Sequence, residues 1–345
     1  MKGEMSTIYK HFDGPLYVIA AKSGYNPEAI HILDRDPVLP RNPLYFAAHL
    51  PLYPFFIWLG SFAVGYLKSM LGVTLVSTVL LAWVFYYVLK RFQITKHPLI
   101  LTSVFLFLPR FLVVRSVGSP ESLFLLFIFS SLFFFEKKNY LLAGLLGGLA
   151  TMTKSPGILL FPAYILALVE SHVIPMKIGI QSNKPSFNYL FLLFIPLGLL
   201  AVFGIYYIQY NDFLAYFHSG DNVHLVFPFS VFISSASWVG TAWLEDILFY
   251  YTLYCTTVVA LWHSKQRSFF YFALIFFTAT LFVQHRDISR YSLPLWPLTV
   301  IAFEHIFTSK KALIVGGVIF FGIYMYAWNF LSSNVMPITE WLPFL

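Results

Sequence analysis

The chain has 345 residues, of which 59% are hydrophobic and 11% charged, and its formal net charge is +7. Soluble domains carry about 25% charged residues, so this chain lacks the polar surface of a water-soluble globule. Continuous apolar runs such as Leu99 to Leu108 do not fit the alternating strands of a membrane barrel, which leaves helices as the way to satisfy the backbone in lipid.

In chain order, residues 1–45 are polar and mixed, with no cleavable signal peptide and a short helical stretch ending near Gly24 and Tyr25. Segment 46–66 is apolar but carries Pro51 and Pro54, which predicts a helix lying partly in the membrane interface. Ten runs then approach the roughly 20 apolar residues of a crossing: 70–89, 98–114, 120–135, 140–153, 157–170, 189–208, 247–263, 269–284, 293–307 and 312–331. Segment 225–243, rich in aromatic and small residues, reads as a second interfacial stretch. The expectation is one all-α, polytopic integral membrane domain over 1–345, with about 10–12 transmembrane or interfacial helices. Residues 1–69 form its outer-face segment and 70–331 its helical bundle.

Basic residues cluster between the runs: Lys90, Arg91 and Lys96; Lys137 and Lys138; Lys177 and Lys184; Lys265 and Arg267; Lys310 and Lys311. Alternating the spans puts all five clusters on one side, which the positive-inside rule makes cytoplasmic. The same alternation leaves residues 1–45 outside with no helix before them. The favoured expectation is that a first spanning helix is missing; the other is a count off by one. No basic stripe interleaved with aromatics points to nucleic acid. The single cysteine, Cys255, excludes an internal disulfide and a cysteine metal cluster and reads as a small buried hydrophobe.

Ionisable residues at membrane depth are suspects for function, and the outer face has four such sites. Asp13, in His11-Phe12-Asp13-Gly14-Pro15-Leu16-Tyr17, reads either as a helix cap or as a general base taking a proton from a hydroxyl. Glu121 follows Ser119 and Pro120. It either complements a helix dipole or faces Asp13 as a second carboxylate that orients an acceptor or a metal. Lys154, in Thr153-Lys154-Ser155-Pro156-Gly157, splits one apolar run into two helices. A snorkelling lysine explains the charge; a phosphate site at the second helix start explains the break as well. In Gln284-His285-Arg286-Asp287-Ile288-Ser289-Arg290-Tyr291, Arg286 either pairs with Asp287 or joins Arg290, whose planar fork suits phosphate oxygens. His11, His49, His218, His224 and His285 also fall on this face. They lack tight ligand spacing and read as core or interfacial residues in preference to metal ligands.

At these same positions the chain resembles the GT-C superfamily of membrane glycosyltransferases. It looks most like the bacterial and archaeal mannosyltransferase-like branch related to the enzyme that adds the second mannose of GPI anchors. The matching words are His11 to Tyr17 with Gly24-Tyr25, His49-Leu50-Pro51-Leu52-Tyr53-Pro54, Pro120-Glu121-Ser122-Leu123-Phe124, Thr153 to Gly157, and Arg290-Tyr291-Ser292-Leu293-Pro294. They occur in the family's order and span most of the chain up to about residue 305. The resemblance implies a GT-C-like fold whose first extracytoplasmic loop carries the catalytic acid, here Asp13. It implies a polyprenyl-phosphate sugar donor, with mannose or another hexose moved to a glycan, lipid or protein acceptor by inversion. Lys154, Arg290 and Arg286 would hold the donor phosphate. Glu121, His49 and Tyr53 would position the acceptor or a divalent cation such as Mg or Mn. Two departures stand out: the family has a helix before the catalytic loop, and many members carry arginine where Lys154 stands. A transporter or flippase of lipid-linked sugars is the alternative reading, and a scaffold with a degenerate site the third.

Overall fold

The computed structural model describes residues 4–11, 13–34, 42–177, 187–220, 225–233, 241–285, 287–333, 335–336, 338 and 340–345. Among these residues the chain is helical throughout, and its only bridges are the isolated pairs His11–Val335 and Leu225–Val283.

The N-terminal helices are α1 (Glu4–Tyr9), α2 (Gly14–Ser23) and α3 (Pro27–Leu33). Asn26 caps α3 by accepting from the Ala29 N–H. Helix α2 is buried on nearly every face, with only Lys22 reaching out. After a 3₁₀ turn at Pro43–Ala48 come α4 (Leu52–Val64) and α5 (Tyr66–Arg91), and α2 packs against both. Pro51 and Pro54 lie at the cap and in the first turn of α4, where a missing N–H breaks no bond. They therefore start this helix instead of breaking it. At 13 residues it is about 20 Å long, too short to cross alone. Gly65 (φ 79, ψ 163) turns the chain into α5, and Ser69 Oγ fastens the hairpin by donating to the Ile57 carbonyl at 2.7 Å.

The predicted span 98–114 is two helices, α6 (Pro98–Leu106) and α7 (Pro109–Val114). Pro109 has no N–H and pushes Leu108 to an extended conformation (ψ 129). The Phe105 carbonyl, left without its helical donor, is taken up by Trp296 Nε1 at 3.0 Å. Next come α8 (Glu121–Glu136) and α9 (Tyr140–Thr153), then a 3₁₀ turn at Ser155–Leu159 leading into α10 (Leu160–Lys177). A second 3₁₀ turn at Phe187–Leu193 leads into α11 (Phe194–Tyr210), followed by α12 (Ala215–His218), α13 (Thr241–Ala260) and α14 (Arg267–Leu281). The chain ends with α15 (Ile288–Tyr291), a 3₁₀ turn at Leu293–Leu295, α16 (Trp296–Ala302), α17 (Glu304–Phe307) and α18 (Lys310–Ser333). The predicted span 293–307 thus stops at Phe303 (φ −111), where Glu304 and His305 leave the apolar run to line a polar groove.

Among the described residues four helical stretches are long and apolar enough to cross a membrane: Tyr66–Arg91, Ser155–His172, Phe187–Tyr210 and Lys310–Ser333. They coincide with the predicted runs 70–89, 157–170, 189–208 and 312–331. Runs 120–135, 140–153 and 269–284 form helices of 16, 14 and 15 residues.

Helix α9 lies against α8 and α11. Its seam with α11 is made of glycine. A Cβ on Gly198 would sit 2.5 Å from the Gly148 carbonyl oxygen, and one on Gly148 would sit 2.6 Å from that of Phe194. Small residues of this kind let helix backbones touch, the usual contact between helices in lipid. By contrast α18 buries Ala327 alone among its residues and leaves large side chains such as Val318 and Phe321 exposed.

Candidate functional site

Asp13 stands at the cap position of α2, yet its side chain makes no cap hydrogen bond. Its carboxylate lies 2.5 Å from Arg290 Nη1. The other edge of the same guanidinium, Nε, donates to Glu121 Oε1 at 2.6 Å. Lys154 Nζ reaches that oxygen too, at 2.8 Å, and Ser119 Oγ donates to the second Glu121 oxygen. Four residues from four segments therefore form one chain of charge: Asp13, Arg290, Glu121, Lys154. Side-chain exposure separates their roles. Glu121 is 2% exposed, whereas Asp13 is 24%, Lys154 18% and Arg290 17%. Glu121 is the buried hub, and the other three face what can enter.

The local sequence explains the convergence. Gly14 and Gly118 flank Met70 of α5: a Cβ on Gly118 would lie 2.4 Å from its sulfur, and one on Gly14 3.1 Å. Two missing side chains thus bring the Asp13 and Glu121 turns close across one methionine. Ser119 is pinned to α5, its N–H donating to Thr74 Oγ1 at 3.2 Å and its carbonyl accepting from that hydroxyl at 3.0 Å. Tyr53 supports the same point, with its hydroxyl 2.8 Å from Thr74 Oγ1 and 2.9 Å from the Met70 carbonyl. The Tyr53 hydroxyl is spent beneath Glu121, so this residue is a strut behind the site.

Lys154 is extended (φ −148, ψ 134) where α9 ends. The chain then folds back on α9, and a Cβ on Gly157 would strike the Thr151 nitrogen at 2.5 Å. The Lys154 ammonium also sits over the Tyr291 ring, 5.5 Å from its centre. Arg290 is carried by the short α15, whose first residue follows Asp287. Asp287 pairs with Arg110 of α7 and accepts from Ser289 at 3.0 Å. Arg286 itself lies outside the described residues, as does His224. Arg110 is buried and its guanidinium stacks 4.3 Å from the Phe330 ring. Sequence reading passed over it, although a lone arginine inside an apolar run is the same signal that singled out the others.

His49 is buried, with its ring edge-on to Tyr17 at 4.9 Å, and it helps hold the Asp13 charge. His11 is buried beside Asp13 and its Nε2 has no hydrogen-bond partner. Burial drives the His11 pKa from 6.5 down to about 4, against the pull of Asp13. Burial pushes the Asp13 carboxyl up, but Arg290 and His49 outweigh it and hold the group below its usual 3.8. Burial likewise lowers Arg290, and its two carboxylate partners raise it well past the ordinary arginine value. His218 pairs with Asp212 at 2.6 Å, and His285 accepts from the Asp287 N–H at 2.9 Å.

Among the described residues no group of three or more His, Cys, Asp or Glu could hold a metal. The two site carboxylates, Asp13 and Glu121, are joined by Arg290, with Lys154 on Glu121. A Mg or Mn ion between them would have to displace a guanidinium, so this donor set does not fit a divalent cation. The site adjoins a cavity of about 10 Å³, with Phe124, Leu125, Phe276 and Leu293 facing Glu121, Lys154 and Arg290. That is room for about one water, so any larger ligand enters only as the network opens.

The chain matches no family model, no curated protein and no solved structure. Of the five sequence words set out above, four contribute a residue to this ion-pair network.

Proposed function

We propose that the protein is a polytopic membrane glycosyltransferase of GT-C type, working on the extracytoplasmic face. It moves a hexose, mannose being the first candidate, from a polyprenyl phosphate to a glycan, lipid or protein hydroxyl. The observation that carries this reading is the convergence of Asp13, Glu121, Lys154 and Arg290 at one end of an apolar bundle. Two of the four are cations of the kind that bind phosphate, and one is a carboxylate that solvent can reach.

The reaction is an inverting displacement. The acceptor oxygen bonds to the anomeric carbon, the bond from that carbon to the phosphate oxygen breaks, and the electron pair leaves with the polyprenyl phosphate. The acceptor proton passes to Asp13. Lys154 and Arg290 neutralise the charge that gathers on the leaving phosphate. In the ligand-free arrangement both cations are occupied by carboxylates, so the donor phosphate has to exchange with them. The exchange takes from Asp13 the guanidinium that holds its pKa down and places a negative group nearby, which makes Asp13 a stronger base. Glu121 then keeps the cations in register. The apolar wall of Phe124, Leu125, Phe276 and Leu293 suits the isoprenoid next to the phosphate.

The test uses purified protein in liposomes with radiolabelled polyprenyl-phosphate mannose and follows loss of label from that lipid. Loss with the wild-type protein and none with Asp13→Asn is the expected result. Label that crosses the bilayer with its glycosidic bond intact would replace the transferase by a transporter of lipid-linked sugars.

A further inference from the structure

Helix α5 begins at the ion-pair site, where Met70 and Thr74 support Glu121. Lys90 stands 16 residues past Thr74, about 24 Å along a helix rising 1.5 Å per residue. At that far end lies a second cavity of about 780 Å³. Its walls are Tyr86 and Lys90 of α5, the connection into α6 with Lys96 and His97, and Glu304 and His305 of α17.

The charge of this groove is unbalanced. Arg267, at the start of α14, is by contrast held by both oxygens of Glu170, at 2.5 and 2.9 Å. Neither Lys90 nor Lys96 pairs with a carboxylate among the described residues. Two ammonium groups face the single Glu304 carboxylate, with His97 and His305 beside them, so the cavity is positive before any histidine is protonated. Close in sequence to these lining residues stand exposed apolar ones: Trp83 is 65% exposed, Leu99 70% and Ile306 50%. The Trp83 and Tyr87 rings stack at 6.2 Å on the two turns that lead to Lys90. A positive pocket at helix ends, with exposed aromatic and aliphatic side chains close by in sequence, matches the chemistry of a lipid with a phosphate head.

We propose that this groove binds the headgroup of an anionic phosphodiester lipid. Lys90 and Lys96 take the phosphate, Glu304 and Thr308 accept from headgroup hydroxyls, and the acyl chains run along Trp83, Leu99 and Ile306. The proposal rests on the membrane part of the proposed function and is independent of the transfer reaction.

The experiment is binding of phosphatidylglycerol to the purified full chain in neutral detergent, read by native mass spectrometry and by the melting temperature. Phosphatidylcholine and inorganic phosphate are the comparison arms. Phosphatidylglycerol should bind and raise the melting temperature, and phosphatidylcholine should do neither. Lys90→Gln with Lys96→Gln should weaken binding about tenfold or more, while its melting temperature without lipid stays at the wild-type value. Lys310→Gln with Lys311→Gln, exposed cations outside the groove, and Asp13→Asn should both bind as wild type. Equal binding of phosphatidylcholine, or unchanged binding by the Lys90 and Lys96 double variant, would overturn the proposal. Inorganic phosphate that by itself reproduces the full shift would overturn the lipid assignment in favour of a soluble phosphate ligand.

Discussion

Nη1 of Arg290 lies 2.5 Å from the Asp13 carboxylate, and this contact keeps Asp13 charged and occupied until something else takes the arginine. Asp13→Asn keeps the shape and removes the proton acceptor. Transfer should fall by about 10² to 10⁴, the span of general-base contributions, while donor binding tightens because a carboxylate competing for Arg290 is gone. Steady-state kinetics in liposomes separate the two, and a variant that keeps wild-type turnover would remove Asp13 from the chemistry. The same contact stabilises the fold only while Asp13 is ionised. Because its pKa is below the usual 3.8, that share is complete above 3.8 and disappears as pH falls through the lower folded value.

His11 has the opposite chemistry and a different window. Its pKa falls from 6.5 to about 4 because burial disfavours the imidazolium. Between those two values the unfolded chain binds a proton that the folded chain refuses, so stability drops as pH falls from 6.5 toward 4. His11→Phe should flatten this part of the profile, by about 1–3 kcal/mol at the acid end. Thermal unfolding in detergent at a series of pH values measures it, and an unchanged slope in the variant would assign the slope to another group.

Glu121 competes with the donor for the same two cations. Glu121→Gln should therefore tighten binding of polyprenyl phosphate, by about tenfold for one charge removed, while turnover declines because Lys154 and Arg290 lose their register. Lys154→Ala has the reverse effect on binding and abolishes transfer, and Lys154→Arg should recover part of both. Competition between labelled donor and unlabelled polyprenyl phosphate reads the affinities. Weaker phosphate binding by the Glu121→Gln variant would count against the exchange mechanism.

Arg110 acts one step behind Arg290, through Asp287. Arg110→Met takes the guanidinium from a partly buried carboxylate and should destabilise the protein by about 1–3 kcal/mol. Arg110→Met combined with Asp287→Asn removes both charges and should regain most of that loss. A double variant no more stable than the single would show that the pair is not the unit holding α7 to the Arg290 turn.

The residues that form the site were legible in the sequence because charge is rare in this chain. Asp13, Glu121, Lys154 and Arg290 each interrupt an apolar stretch or border one, and the structure brings all four together. Their partners were not legible. Nothing in the sequence pointed from Asp287 to Arg110, 177 residues away, which it reaches in the fold. The resemblance gave Tyr53 the role of positioning the acceptor or a cation, and in the fold its hydroxyl turns to α5. Hydropathy also located the helices better than their interruptions. Pro109 breaks a run that is apolar throughout, and an indole N–H from a distant helix takes up the carbonyl it leaves behind.

Glu121 shares one oxygen between Lys154 and Arg290, and the order of synthesis gives that sharing a meaning. Proteins emerge from the N-terminus, so Glu121 and Lys154 meet while the last third of the chain is still to be made. The glycine seam of α9 and α11 can close over that early pair. Asp13, made first, finds its arginine last. A chain halted before residue 290 would carry an acid without its cation, so the last ion pair of the site waits on a residue made late in synthesis.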